Sequence, residues 1–588
     1  MAIDSLTAHT PADPGTYVPP VDDYAFLLGE AFGEDIVARA SEGALTAEDA
    51  GDAIAAAGEF AAEVFAPLDR VGDQQGAKLI DGSVRTPDGF KEAYKSFADS
   101  GWVSAAVAED AGGDGLPGSV VAALTEFWNG ANAAFALCPG LSHGAIRAIQ
   151  ANASQELKDT YLPKMVSGEW TGTMNLTEPQ AGSDLGAVRT MARDNGDGSW
   201  AISGQKIFIT WGDHDVADNI IHLVLARTEN APEGHRGISL FVAPKYLLNA
   251  DGTPGARNTV TTVGLEHKLG IHASPTCVLQ FEEATGYLVG ELHQGLAGMF
   301  VMMNEARVGI GVQGLGIAQR AYQRANDYAH TRLQGAVLGL PAGTPIAGHP
   351  DVRRLLLSMS SRVSAMRAFS VLVGDTHDRA HAGDPESAAR AEFFVPILKS
   401  WFTEQAVQIA SDAVQVHGGM GFIEETGIAQ QYRDARILPI YEGTTAIQSN
   451  DLVGRKVLRD GGQIAAGVFA AMRTQLDALS AAAAVNPVAD RLVERTTRAI
   501  EAAERATAAI LANAASPRDA YAVSVPYQEL LATLVGGWMH AIIATAVLGH
   551  DSISGEDQRR LTEADFYGAH HLSKVHALAE TVAAGEVG

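Results

Sequence analysis

Cysteine is scarce: Cys138 and Cys277 are the only two in 588 residues. Two are too few for a disulfide framework. Neither stands close in sequence to other metal-ligating residues, so both read as reduced, buried thiols, and no metal site is expected. Positive charge is also short. Lys and Arg number 42 against 70 Asp and Glu, a formal net charge of −28. A surface that acidic repels a phosphate backbone and argues against nucleic acid as the main partner. It leaves small anionic ligands open, because a few local donors suffice for one phosphate. Low-complexity linkers are missing apart from an alanine run at 481–484. No uncharged apolar stretch reaches the roughly 18 residues that a bilayer span needs. The nearest, 536–549, contains His540 and reads as a buried core helix. Residues 1–25 hold Asp4, Asp13, Asp22 and Asp23, no Lys or Arg and no apolar core, so no secretory leader is expected. These absences predict a soluble, cytoplasmic protein with no membrane association.

What is present is an ordinary globular balance, 46% hydrophobic and 19% charged, over a length that suits several domains. Periodicity divides it into four zones. An N-terminal helical domain is expected over 1–170 and a β domain over 171–290. A helical bundle follows over 291–465, and an appended helical domain over 466–588. In the second zone the runs 199–210, 219–227, 237–244 and 276–282 read as strands, and Asn195-Gly-Asp-Gly198 reads as a hairpin turn. In the third, Leu315, Ala318, Tyr322, Ala325 and Ala329 line one helix face, and Leu398, Phe402, Ala406, Ile409, Ala413 and Val416 line another.

Three segments carry more than composition. Leu176-Thr-Glu-Pro-Gln-Ala-Gly-Ser-Asp-Leu-Gly186 must be irregular, with several N–H groups available to a pyrophosphate, although the same residues also make ordinary turns. Lys206-Ile-Phe-Ile-Thr-Trp211 places Phe208 and Thr210 two apart on a strand, where they could cover a flat ring and bond its edge, or simply pack. Gln415-Val-His-Gly-Gly-Met-Gly-Phe422 ends a helix in glycines. It is followed by Arg436-Ile-Leu-Pro-Ile-Tyr-Glu-Gly-Thr-Thr-Ala-Ile-Gln448. Thr445 and Gln448 have capping-box spacing, which predicts a helix from about Thr445 and puts Glu442 just before it, beside apolar neighbours. A solvated loop carboxylate is the plainer alternative.

Together and in this order, these segments resemble the acyl-CoA dehydrogenase family: LTEPQAGSDLG for its TEPxAGSD loop, IFIT for its aromatic-Ile-Thr strand, QVHGGMGF for its Q-x-x-GGxGF turn and RDARILPIYEGTTAIQ for its RDxR…IYEGT segment. The resemblance covers about 20–460. The final helical zone and Lys268–Thr276 are similar to a large-subunit branch that includes 3-methylmercaptopropionyl-CoA dehydrogenase-like enzymes. The implied fold is mostly α with a β middle domain: α-bundle, β-barrel-like domain, α-bundle, plus the C-terminal helical domain.

The resemblance implies FAD as cofactor and the α,β-dehydrogenation of an acyl-CoA thioester to the trans-2-enoyl-CoA. Glu442 would take the Cα proton, with hydride passing to flavin N5 and electrons to an electron-transfer flavoprotein. The backbone N–H of the catalytic Glu, with a flavin hydroxyl, would hold the thioester oxygen. Leu176 and Thr177 would meet the pyrimidine end of the flavin, Ser183 the pyrophosphate, and Phe208 and Thr210 the ring face and N5. Arg332 from a neighbouring subunit would pair with the pyrophosphate, with Gln334 beside it. Gln415, Gly418 and Gly419 would line the adenosine half, and Thr444 would lie near the adenine. Ser183, Arg307, Tyr441 and Gly443 are assigned to the substrate, Arg307 equally to a structural ion pair. Trp211 would narrow access to the site or pack, and His417 would be a helix-end residue. Some relatives carry the base on another helix, at a slot filled here by Ala306; Glu305 is one residue, about 100°, away from it. A homodimer or dimer of dimers is implied. Rival readings are an oxidase on the same fold and a DNA-binding flavoprotein relative. Nine Lys and Arg against fourteen Asp and Glu over 470–588 disfavour the second.

Overall fold

The computed structural model describes residues 16–33, 35–483 and 486–585. Residues 1–15 of the acidic N-terminal stretch and the end of the alanine run, at Ala484, lie outside them. The chain forms two compact units, both assembled from separated segments. One comprises 63–116 and 132–309, the other 1–62, 117–131 and 310–588. The boundaries cut two long helices, Gly118–Asn152, interrupted by a non-helical Asn132, and Gly295–Thr331. The four zones expected from periodicity therefore do not coincide with the compact units.

The first unit holds the strands β1 (Lys78–Ile80), β2 (Ser83–Arg85), β3 (Trp170–Asn175), β4 (Met191–Asp194), β5 (Trp200–Thr210), β6 (Asn219–Arg227), β7 (Ile238–Pro244), β8 (Tyr246–Leu248), β9 (Pro254–Arg257), β10 (Val260–Leu265) and β11 (Thr276–Val289). Five close into a ring. β11 pairs with β5, β5 with β4, β4 with β6, β6 with β7, and β7 returns to β11. β3 adds to β6 in parallel, and β10 adds to β11. The 195–199 connection joins β4 and β5, with Gly196 and Gly198 at positive φ. β6 reads Asn-Ile-Ile-His-Leu-Val-Leu-Ala-Arg because both its faces are covered. Val224 and Ala226 join Ile202, Ile209, Phe241 and Phe281 in one core. Ile221, Leu223 and Leu225 join helix residues Ile146, Ile149, Tyr161 and Met302 in another.

The second unit is helical. Helices Pro350–His381 and Pro385–His417 pack on each other and on the C-terminal part of Gly295–Thr331. The approach is close. A Cβ at Gly311 would lie 2.1 Å from the Leu398 side chain, and one at Gly314 would lie 2.9 Å from the Phe402 carbonyl. Leu315, Ala318, Ala325 and Ala329 are buried, as are all six residues of the second apolar face. The C-terminal zone supplies Gln463–Ala483, Pro487–Ala512, Ser524–Leu548, Gly555–His570 and Ser573–Ala584. Ser524–Leu548 is longer than the expected 536–549. It is apolar enough to cross a membrane by length and composition, yet 89% of its most apolar window is buried among the other helices. The His540 Nε2–H in it donates to the Ser361 carbonyl at 2.9 Å.

A buried charge network joins the N-terminal helix to this bundle. The Arg367 guanidinium donates to Glu126 at 2.7 and 3.0 Å and to Asp23 at 2.7 Å. Asp23 also receives Arg559 at 2.9 Å, and Tyr24 Oη donates to Glu126 at 2.7 Å. Burial would raise the Asp23 carboxyl. The three guanidinium groups of Arg559, Arg367 and Arg560 outweigh it and hold it at about 2.

Candidate active site

The residues implied by the resemblance fall into two groups, one in each compact unit. In the first unit, the loop 176–186 leaves β3 and is pinned to β5. The Lys206 ammonium, fully buried, donates to the Leu176 carbonyl at 3.0 Å and to Glu178 Oε1 at 2.8 Å. Glu178 also accepts from the Thr190 hydroxyl at 2.6 Å and from the N–H of Arg189 and Thr190 at 2.7 and 3.0 Å. Burial would raise its carboxyl, but Lys206 and these donors hold it at about 2. The Ile207 N–H donates to the Thr177 carbonyl at 2.9 Å. Arg227 closes the far end of the loop, donating to the Gly186 carbonyl at 2.7 Å and the Val188 carbonyl at 2.8 Å. Ser183 is exposed, Thr177 half-buried, and the Leu176 side chain lies in the core.

Phe208 owes its exposure to a β-bulge. Lys206 pairs with Leu279 and Ile209 with Cys277, so two residues of β5 oppose one of β11. Bulges re-aim side chains in this way. Phe208 takes φ +59° and stands 57% exposed, while Ile209 is buried in the core and Thr210 is half-buried. A large aromatic face held outward at a left-handed residue costs about 1–2 kcal/mol of strain. It suits a flat ring such as that of FAD, and the pinned loop beside it suits phosphate. Trp211, also at φ +51°, is 1% exposed. It donates to the Ala134 carbonyl at 3.1 Å and meets Phe135 edge-on, so it packs. Glu305 lies 3.5 Å from His143 Nε2 and 3.4 Å from Arg147 Nη1. Arg307 is buried and donates to Asn304 on its own helix at 3.3 Å.

In the second unit, Glu442 sits in a turn between Ala435 and helix Thr445–Asp451. Glu442 at φ +55° and Gly443 at φ +95° are successive left-handed residues. The turn is held from several sides. Lys399 Nζ donates to the Leu438 carbonyl at 3.0 Å and the Gly443 carbonyl at 2.7 Å. Gln448 Nε2 donates to the Glu442 carbonyl at 3.2 Å, and the Thr445 hydroxyl to Glu404 at 2.5 Å. The Tyr441 hydroxyl bonds Gln313. Burial and the nearby Glu442 and Asp434 charges push the Tyr441 phenol well above its ordinary value, so it stays a donor. The helix begins at Thr445 as expected, but the expected Thr445–Gln448 capping box does not form. Thr444 is the cap, accepting from the Ile447 N–H at 3.3 Å, and Gln448 is thereby released to hold Glu442. Glu442 itself is half-buried.

Gln415, Gly418 and Gly419 are exposed where helix Pro385–His417 ends. His417 stacks on Tyr328 at 4.3 Å and bonds the Ala413 carbonyl, a helix-end role, and burial lowers its pKa. Arg332 and Gln334 are exposed just beyond helix Gly295–Thr331, and Arg332 makes no ion pair among the described residues. Sequence reasoning passed over Lys399, Lys206 and Glu178. The available signal was a lone lysine inside Phe393-Phe-Val-Pro-Ile-Leu-Lys-Ser-Trp-Phe402, where only a satisfied ammonium could be buried.

Family models describe each part of the chain. The acyl-CoA dehydrogenase N-terminal domain matches 48–169, the middle domain 173–284, the C-terminal domain 293–457, and an acetyl-CoA dehydrogenase C-terminal like model 468–587. The chain is 47% identical to 3-methylmercaptopropionyl-CoA dehydrogenase of Ruegeria pomeroyi, covering 96% of this chain and 97% of that one. It is 35% identical to the broad-specificity linear acyl-CoA dehydrogenase FadE5 of Mycobacterium tuberculosis, covering 85% and 86%. In fold it is similar to an acyl-CoA dehydrogenase from Bacillus anthracis complexed with FAD, with a TM-score of 0.75 and 22% identity over 92% of this chain and 89% of that one. With four consecutive domain models matched and a near full-length relative at that identity, the chain belongs to the acyl-CoA dehydrogenase family.

Proposed function

We propose that the protein is an FAD-dependent dehydrogenase that converts an acyl-CoA thioester to the trans-2-enoyl-CoA with Glu442 as base. The observation that carries this reading is the Glu442 turn: a half-buried glutamate at φ +55°, in a turn whose backbone carbonyls are bonded by Lys399 and Gln448. A non-glycine residue in that region persists only when its surroundings over-determine it, and such residues cluster at functional sites. Glu442 takes the proton from Cα, and the bond electrons left behind form the Cα–Cβ double bond as hydride leaves Cβ. FAD, when bound, supplies the hydride acceptor. The Glu442 N–H stabilises charge developing on the thioester oxygen, a contribution typically worth about 10²–10³ in rate. Phe208, Thr210 and the 176–186 loop are the flavin-binding residues of the first unit, and Gln415, Gly418, Gly419 and Thr444 are those assigned to flavin in the second. Ser183, Arg307, Tyr441 and Gly443 face the substrate.

The substrate class we favour is a short acyl-CoA with a thioether in the chain. Its support is the 47% identity, over nearly the whole length, to an enzyme named for 3-methylmercaptopropionyl-CoA. The electron acceptor is an electron-transfer flavoprotein; the competing oxidase would be revealed by rapid reoxidation in air with peroxide formation. The same reading places the enzyme in the cytoplasm as a homo-oligomer, with Arg332 and Gln334 reaching a neighbouring subunit's flavin. The test is anaerobic bleaching of the flavin by acyl-CoAs of graded length, branching and sulfur content. We expect the short thioether substrate to bleach fastest. Glu442→Gln should stay yellow and folded and lose bleaching by at least about 10²-fold, the usual scale of general-base catalysis. Near wild-type turnover by that variant would end the assignment.

A further inference from the structure

We propose that Lys399 is a positioning residue for this reaction, closing the base of the 438–443 turn and so setting where the Glu442 carboxylate stands. The inference rests on the reading of Glu442 as base. Lys399 is 0% exposed in helix Pro385–His417, with Phe394, Leu398 and Phe402 of that helix also buried. An ammonium in such surroundings costs several kcal/mol unless its protons are bonded, so packing alone would be better served by Met or Leu. Its Nζ instead bonds the carbonyls of Leu438 at 3.0 Å and Gly443 at 2.7 Å. Those carbonyls flank the apolar Pro439–Tyr441 stretch and the two left-handed residues Glu442 and Gly443. One charged group thus gathers both ends of the strained turn onto a rigid helix.

The helix is itself fixed at that point. Gly311 of Gly295–Thr331 approaches so closely that a Cβ there would lie 3.4 Å from the Lys399 Cα. Lys399 therefore cannot drift without disturbing a helix crossing. Two of the other clasps act locally: Gln448 lies on the helix that follows the turn, and the Thr445 N–H bonds the Pro439 carbonyl at 3.1 Å within it. The two that reach other helices, Tyr441 to Gln313 and Thr445 to Glu404, do so through side chains, so Lys399 is the group that ties the backbone carbonyls of the turn to a helix distant in sequence. Releasing Lys399 should let the turn relax from φ +55° and move the carboxylate. A displacement of about 1 Å can cost about 10²-fold in rate.

The experiment uses full-length, FAD-loaded wild type, Lys399→Met, Lys399→Gln and Glu442→Gln, reduced anaerobically with 3-methylmercaptopropionyl-CoA and with butyryl-CoA. Lys399→Met should keep the wild-type flavin spectrum and a KM within about threefold, lose about 10²-fold in bleaching rate, and shift the pH midpoint of that rate. Lys399→Gln, which can still donate to one carbonyl, should recover part of the rate. Amide exchange should quicken over 438–445 in both. Bleaching by Lys399→Met within about threefold of wild type, with Glu442→Gln inactive, overturns the role of Lys399 and leaves Glu442 in place. Wild-type bleaching by Glu442→Gln overturns the reading of the base, and this inference with it. Should Lys399→Met not fold, Lys399→Gln decides: unchanged exchange and unchanged rate there overturn the proposal.

Discussion

At the scale of single residues, most of the chemistry depends on how charged groups are buried. Glu178 illustrates the sign of the effect. Its carboxyl is held at about 2 against an ordinary 4.5, so it contributes stability above pH 4.5 that is lost as the pH falls from there toward 2. The shift corresponds to a few kcal/mol, on the order of 1.4 per unit. Thermal midpoints measured between pH 7 and 3 should drop more steeply for wild type than for Glu178→Gln. That variant should already be destabilised at pH 7 by about 3–5 kcal/mol, because it leaves the Lys206 ammonium buried without its carboxylate. Equal slopes for the two proteins would refute the assignment. The place of Glu442 just before a helix and the irregular course of the loop after Leu176 were legible because residue type and order encode them. Phe208 was legible as a ring-covering candidate, but the bulge that turns it outward was not. Its cause lies in the pairing of Lys206 with Leu279 and Ile209 with Cys277, about seventy residues away. Lys399 was illegible for the same reason: its carbonyl partners belong to residues 438 and 443.

At the scale of elements, the strands from Trp200, Asn219 and Ile238 begin within a residue of their expected starts, because turn residues bracket them. β11 runs to Val289, well beyond the expected 282, since Ala284–Gly286 continue its pairing with β5 and Tyr287–Val289 pair with β7. Helix Thr445–Asp451 begins where the spacing predicts, but Thr444 and not Thr445 caps it, because the two offer the same hydroxyl and only the backbone decides which caps. Arg367 on helix Pro350–His381 shows what links helices distant in sequence. It binds Glu126 of Gly118–Asn152 and Asp23 of Val21–Phe26 while 3% exposed. Replacing it by Met should cost about 3–5 kcal/mol, since two carboxylates lose their buried partner. Chemical denaturation would read this as a lower midpoint with an unchanged slope. A loss below about 1 kcal/mol would show the network to be solvated.

At the scale of the whole molecule, the acidic surface and the cofactor reading meet at the end of helix Gly295–Thr331. Arg332 and Gln334 are exposed there beside Leu333, 56% exposed, and Leu338, 91% exposed. At the end of helix Pro385–His417, Phe422 is 89% exposed. A neighbouring subunit reached by Arg332 would cover these apolar side chains. We expect light scattering to give at least twice the chain mass of 61.6 kDa, and Arg332→Ala to weaken flavin retention without changing the fold. A monomeric, flavin-replete protein would contradict the shared-site arrangement.

The interleaving of the two compact units has a practical consequence for anyone dividing this chain. The backbone passes between them four times, at 62/63, 116/117, 131/132 and 309/310. No contiguous fragment contains either unit alone: residues 63–309 carry 117–131 along, and removing that piece severs helix Gly118–Asn152. A protease that nicks one exposed loop leaves each unit still covalently tied to the other. Fragments cut at the family's own domain boundaries should therefore expose core faces such as Ile146 and Ile149, and recover only when the complementary pieces are expressed together.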